Sequence, residues 1–106
     1  MTAMLRNDYL TRLQGDIARW EAQAAIWRAC AARSPAELAP QYLRQLDLVD
    51  NIVRCARATC AQMQSAPEGA WHDMSATAAY SRRELRAAFE RVRRRMEDIE
   101  NFKCAA

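Results

Sequence analysis

The sequence predicts an all-α fold, an antiparallel up-down-up three-helix bundle or coiled coil with a longer third helix, and three observations carry that expectation. The 106 residues include only 2 Gly and 3 Pro, too few turn formers for a sandwich or barrel of many short strands. Alanine fills about a fifth of the positions, and Arg, Glu, Gln, Leu and Met supply much of the remainder, all of them good helix formers. Three long segments repeat apolar residues at alternating spacings of three and four, the period of a helix face packed on other helices. With 51% hydrophobic side chains, a chain of this length is sized for a single domain over residues 1–106 with one core.

The first helix is expected over about residues 4–32. Leu10, Leu13, Ile17, Trp20, Ala24, Trp27 and Ala31 follow at spacings of 3, 4, 3, 4, 3 and 4, an unbroken heptad stripe. Arg6, Arg12, Asp16, Arg19, Glu21 and Arg28 fall beside or opposite it. Gly15 costs the helix roughly 1 kcal/mol relative to Ala and is a candidate for a close helix crossing.

Two boundaries of like chemistry separate the helices. Ser34-Pro35-Ala36-Glu37 and Ser65-Ala66-Pro67-Glu68 each place a hydroxyl three residues ahead of a glutamate, with proline in the first turn. Each reads as a capping box in which the serine accepts from a backbone amide and the glutamate reaches back to the cap. The second helix then covers about residues 35–64, with Pro40 either kinking it or opening its regular part. Its seam is Tyr42, Leu46, Val49, Val53, Ala56, Cys60 and Met63, and Leu43, Leu48 and Ile52 widen the stripe until it needs cover on two sides.

The third helix is expected over about residues 66–103, with Trp71, Met74, Ala78, Ser81, Leu85, Phe89, Val92, Met96 and Ile99 in register. Two successive fours between Ser81 and Phe89 form a stutter that relaxes the supercoil and turns the second half toward a different neighbour. At 1.5 Å per residue this helix is about 54 Å long against about 42 Å for the first, a projecting end of roughly 10 Å. The overhang would expose Val92, Met96, Ile99 and Phe102, which implies a second copy to cover it, so a homo-oligomer, with a dimer as the first expectation. The residues expected in the core or an oligomer interface are Leu13, Ile17, Trp20, Trp27, Leu46, Val49, Val53, Trp71, Leu85, Phe89, Val92, Met96 and Ile99.

Chemistry-bearing patterns are sparse. The net charge of +3, from 16 basic and 13 acidic residues, is too mild to predict a nucleic-acid or membrane partner by itself. Arginines crowd the third helix, and Arg83, Arg86, Arg93 and Arg94 are the candidate anion-binding residues for an alternative reading as a peripheral binder of nucleic acid or anionic membrane. Acidic neighbours oppose it, since Glu90 stands at pairing distance from Arg93 and Arg94. Asp47 and Asp50 share a helix face, but no acid, base or ligand is spaced to join them. Cys30, Cys55, Cys60 and Cys104 lack Cys-x-x-Cys spacing, and the lone His72 has no Ser-centred elbow near it in sequence. No catalytic residue, cofactor or metal is therefore expected. No apolar run reaches bilayer length and the first residues lack a secretory pattern, so reduced thiols in a cytoplasmic protein are expected.

Pro67-Glu68-Gly69-Ala70-Trp71, Leu85-Arg86-Ala87-Ala88-Phe89-Glu90, and the Leu13, Ile17, Trp20 pattern of the first helix together resemble a group of small bacterial three-helix coiled-coil proteins labelled stress-response or apolipoprotein-like. The resemblance spans most of the chain and implies a non-enzymatic helical bundle acting through protein contacts, as a stress-related scaffold or adaptor, with no catalytic residues to carry over. The chain departs from the group in its abundance of Arg and Cys, where members are rich in Lys and Glu.

Overall fold

Three helices, α1 (Arg6–Ala32), α2 (Ala39–Ser65) and α3 (Glu68–Ala105), make up the bundle. It is seen in a computed structural model that describes residues 5–105, and the side chains of 5–101. Short connections turn α2 antiparallel to both neighbours. α1 and α3 consequently run parallel: the Tyr9 ring tilts against Trp71, Asp16 meets Arg82, and Trp20 and Trp27 meet Phe89, with both numbers rising together. There is no strand among the described residues.

The serine boundaries lie where the sequence places them, but neither is a capping box. Ser34 Oγ donates to the carbonyl of Cys30 at 2.7 Å, and Ser65 Oγ donates to that of Ala61 at 2.9 Å. Each hydroxyl thus closes the helix behind it, because a serine oxygen near a helix end bonds the carbonyl four residues back as readily as an amide ahead. Residues 35–38 form a separate turn, in which the Leu38 amide donates to Pro35 O at 3.0 Å. α2 starts at Ala39, so of the two expectations Pro40 opens the regular helix and does not kink one begun at residue 35, since it lacks a donor and suits only the first turn. α3 likewise begins at Glu68, two residues later than expected.

A second correction concerns the projecting end. α3 has 38 residues against 27 for α1, about 57 Å against about 40 Å. Yet Val92, Met96 and Ile99 are only 3%, 1% and 8% exposed. The connection after α1 and the first half of α2 continue the core past the end of α1, burying Leu38, Tyr42 and Leu46 at that level. The apolar surface that implied a second copy is therefore covered within one chain over these three residues, and the Phe102 side chain lies outside the described residues.

The seams are close to those expected, with instructive shifts. Along α1, Leu13, Ile17, Trp20, Ala24, Trp27 and Ala31 are buried, and Tyr9 replaces the half-buried Leu10 at the first turn. In α2, Ile52 enters the core while Val53 packs at its edge. Trp71, Leu85 and Phe89 of α3 are half-buried against the core, and the stutter separates their directions. Leu85 lies toward α2, whereas Phe89 reaches α1 and sits between two tryptophans, 5.5 Å from the Trp20 ring and 5.6 Å from the Trp27 ring, stacked on each. Gly15 marks no crossing: a Cβ there would meet only the Arg19 guanidinium at 3.5 Å.

At the other end of the parallel pair, the Tyr9 hydroxyl donates to the Ala78 carbonyl at 2.8 Å, joining α1 to α3. Burial raises the Tyr9 pKa above its ordinary value, with Cys60 and Asp16 adding to the rise and Arg82 opposing it. A folded pKa above the unfolded one gives stability that is full below about pH 10 and lost as pH rises through the folded pKa.

Two outcomes follow for unfolding in urea. Trp20→Ala, which empties a site on which Phe89 stacks, costs about 3 to 5 kcal/mol; an unchanged midpoint would mean that the seam is misplaced. Tyr9→Phe costs about 1 kcal/mol at neutral pH, and the gap to the parent chain narrows above pH 10, whereas a gap that stays constant through pH 11 would contradict the raised pKa of the buried phenol.

Candidate functional site

The first polar feature of the interior is Asp16, which the heptad pattern places beside the α1 seam and the fold buries to 1% exposure. Its carboxylate accepts from Arg82 Nε of α3 at 2.7 Å and, more weakly, from Arg82 Nη2 at 3.4 Å, and Arg19 one turn along α1 also donates to it. Arg82 is itself largely enclosed, with 17% of its side chain exposed, while Arg19 reaches out to solvent. Both carboxylate oxygens are thereby satisfied, and satisfaction of that kind is the condition on which a buried charge is tolerated. The signal was present in the sequence: Asp16 stands three residues after Leu13 and four before Trp20, on the same helix face as both. Its partner could not be found there, because seven arginines compete along α3.

The second feature is a groove between α2 and α3. Leu48, Ile52, Leu85, Ala88 and Val92 line a largely apolar recess of about 270 Å³, with Gln45, Asn51, Cys55, Arg91 and Arg95 at its edges. It continues past Gln45, Leu48 and Arg95 into a shallower, more polar stretch bounded by Gln41, Arg44, Asp98 and Ile99. Leu48 is 42% exposed, and the Gln45 side-chain oxygen is buried without a hydrogen-bond partner. The wide stripe of α2 explains the opening. Leu46 and Val49 turn into the core, Ile52 closes its edge, and Leu48 is left on a flank that no third helix covers.

Ion pairs are unevenly shared among the arginines. Arg28 pairs with Asp50 and Arg57 with Glu21, each at 2.6 Å, bridging α1 and α2. Arg93 donates to Glu90 and Glu97, and Arg94 lies 3.7 Å from Glu90. The hydrogen bond from Arg93 holds the Glu90 carboxyl below its ordinary pKa, and Glu90 in turn raises that of Arg93. Of the four candidate anion-binding residues, Arg93 and Arg94 thus face carboxylates, while Arg83 and Arg86 are exposed and carry no carboxylate partner among the described residues. Arg44, Arg91 and Arg95, around the groove, also lack one among the described residues.

Among the described residues the remaining thiols are free, and the Cys104 side chain lies outside them. Cys60 is buried, which pushes its thiol pKa up against the opposing effect of Arg57; Cys30 is half-buried and Cys55 exposed in the groove. His72 is exposed on the first turns of α3, where its backbone carbonyl accepts from Ser75 Oγ at 3.1 Å. Among the described residues, no three His, Cys, Asp or Glu side chains gather as metal ligands, and no helix is long and apolar enough to cross a membrane. No protein-family model, curated protein sequence or solved structure matches the chain.

Removing the Asp16 carboxylate tests the interior pair. Asp16→Leu leaves the Arg82 guanidinium uncompensated and costs about 3 kcal/mol, as Arg82→Leu does by stranding the carboxylate, while the double change Asp16→Leu with Arg82→Leu recovers much of that loss. Additive losses in urea unfolding of the two single variants and the double variant would show that the two charges are not coupled.

Proposed function

We propose that this chain is a non-enzymatic helical bundle that works through protein contacts, and that the α2–α3 face is its working surface. One observation carries the reading: between α2 and α3 the groove keeps a largely apolar floor that opens to solvent at Leu48. Exposed apolar surface with a polar rim is what protein-binding sites present, and single exposed apolar side chains elsewhere do not need such an explanation. The resemblance to small three-helix coiled-coil proteins labelled stress-response or apolipoprotein-like points the same way.

The alternative, binding of nucleic acid or anionic lipid along α3, draws on Arg83, Arg86, Arg93 and Arg94. It is weakened by the ion pairs that hold Arg93 and Arg94 against Glu90 and Glu97. A photoreactive residue placed at position 48 in cells separates the two. Discrete protein adducts are expected at position 48 and not at the more exposed Leu43 of the same helix. Adducts to nucleic acid or lipid, or equal yields at both positions, would overturn the reading.

A further inference from the structure

We infer that the α2–α3 groove takes an acidic amphipathic helix of a different protein, as the fourth member of the bundle; this rests on the protein-contact reading above. The groove runs from Gln41 to Cys55 along α2 and from Leu85 to Ile99 along the antiparallel α3. Either stretch covers 15 residues of helix, about 21 Å from first to last, room for roughly four turns of a partner lying in the seam. Leu48 with the half-buried Leu85 and the methyl group of Ala88 offers an apolar track to a stripe repeating at three and four residues.

Charge selects the partner's flanks. Arg44, Arg91 and Arg95 border the track, and none has a carboxylate partner among the described residues. The arginines that tie the helices together, Arg28, Arg57 and Arg82, are all paired. Asp98 is the one acidic residue among those that line the groove. A second copy laid face to face would bring three more arginines to the same rim with a single carboxylate to offset them, and like charges across an interface oppose association. Glutamates or aspartates flanking a leucine stripe would instead meet each of the three.

A displayed library of 16-residue helices with leucines fixed at positions 3, 6, 10 and 13, and flanking positions free to be Glu, Lys or Gln, tests this against the folded full-length chain. Glutamate should be enriched at the flanks. The selected helices should slow alkylation of Cys55 and weaken by about tenfold or more toward the Arg91→Glu, Arg95→Glu double variant. The same charge change made outside the groove, Arg83→Glu with Arg86→Glu, should leave binding unaltered. Unselected or lysine-rich flanks would overturn the proposal, as would equal losses in both double variants. So would the absence of any binder, whether the chain remains monomeric or self-associates in a manner abolished by Leu48→Glu. Protein adducts at position 48 combined with any of these failures would leave the protein-contact reading standing and remove only the acidic helix.

Discussion

α1 and α3 share no turn, so chain connectivity does nothing to set their register; contacts between them must. Those contacts are few and of high specificity. Asp16, almost wholly removed from water, accepts from Arg82, and a shift of α3 by a single residue would move the guanidinium away and strand a buried charge. The Tyr9 hydroxyl on the Ala78 carbonyl and the Phe89 ring between Trp20 and Trp27 repeat the same register at either side of the pair. Apolar packing alone tolerates sliding along a heptad seam far better than a polar pair does, which gives the charge its structural meaning.

The rest of the architecture follows from that alignment. With α1 and α3 parallel and in register, α2 lies against both. Ion pairs between Arg28 and Asp50 and between Arg57 and Glu21 close its α1 side. Its α3 side carries no comparable pair among the described residues, and there the helices leave the apolar recess around Leu48 and Ile52. The asymmetry is chemical as well as geometric: acidic and basic residues offset one another between α1 and α2, while unpaired arginines gather beside the recess.

Helix number, order and the α1 stripe were legible because periodicity and composition report local preference directly. The wide apolar stripe of α2 also announced a helix wanting cover on two sides, although not which of its residues would remain open. The capping boxes do not form because Ser34 and Ser65 satisfy carbonyls behind them, and a hydroxyl's choice between donor and acceptor roles is settled by the turn that follows. Helix lengths alone do not reveal how the end of α3 is covered, because the first connection, through Leu38, extends the core. Asp16 with Arg82 stayed hidden for a different reason. Partners separated by 66 residues leave no trace in local spacing.

The central claim is that one chain closes its own core around a parallel α1–α3 pair, leaving the α2–α3 groove free. Nuclear Overhauser contacts from the Phe89 ring, recorded on a mixture of isotope-labelled and unlabelled protein, test it most directly. Cross-peaks to the indoles of both Trp20 and Trp27 should arise within single molecules. Cross-peaks found only between labelled and unlabelled chains, or to one indole alone, would contradict both the register and the self-sufficient bundle.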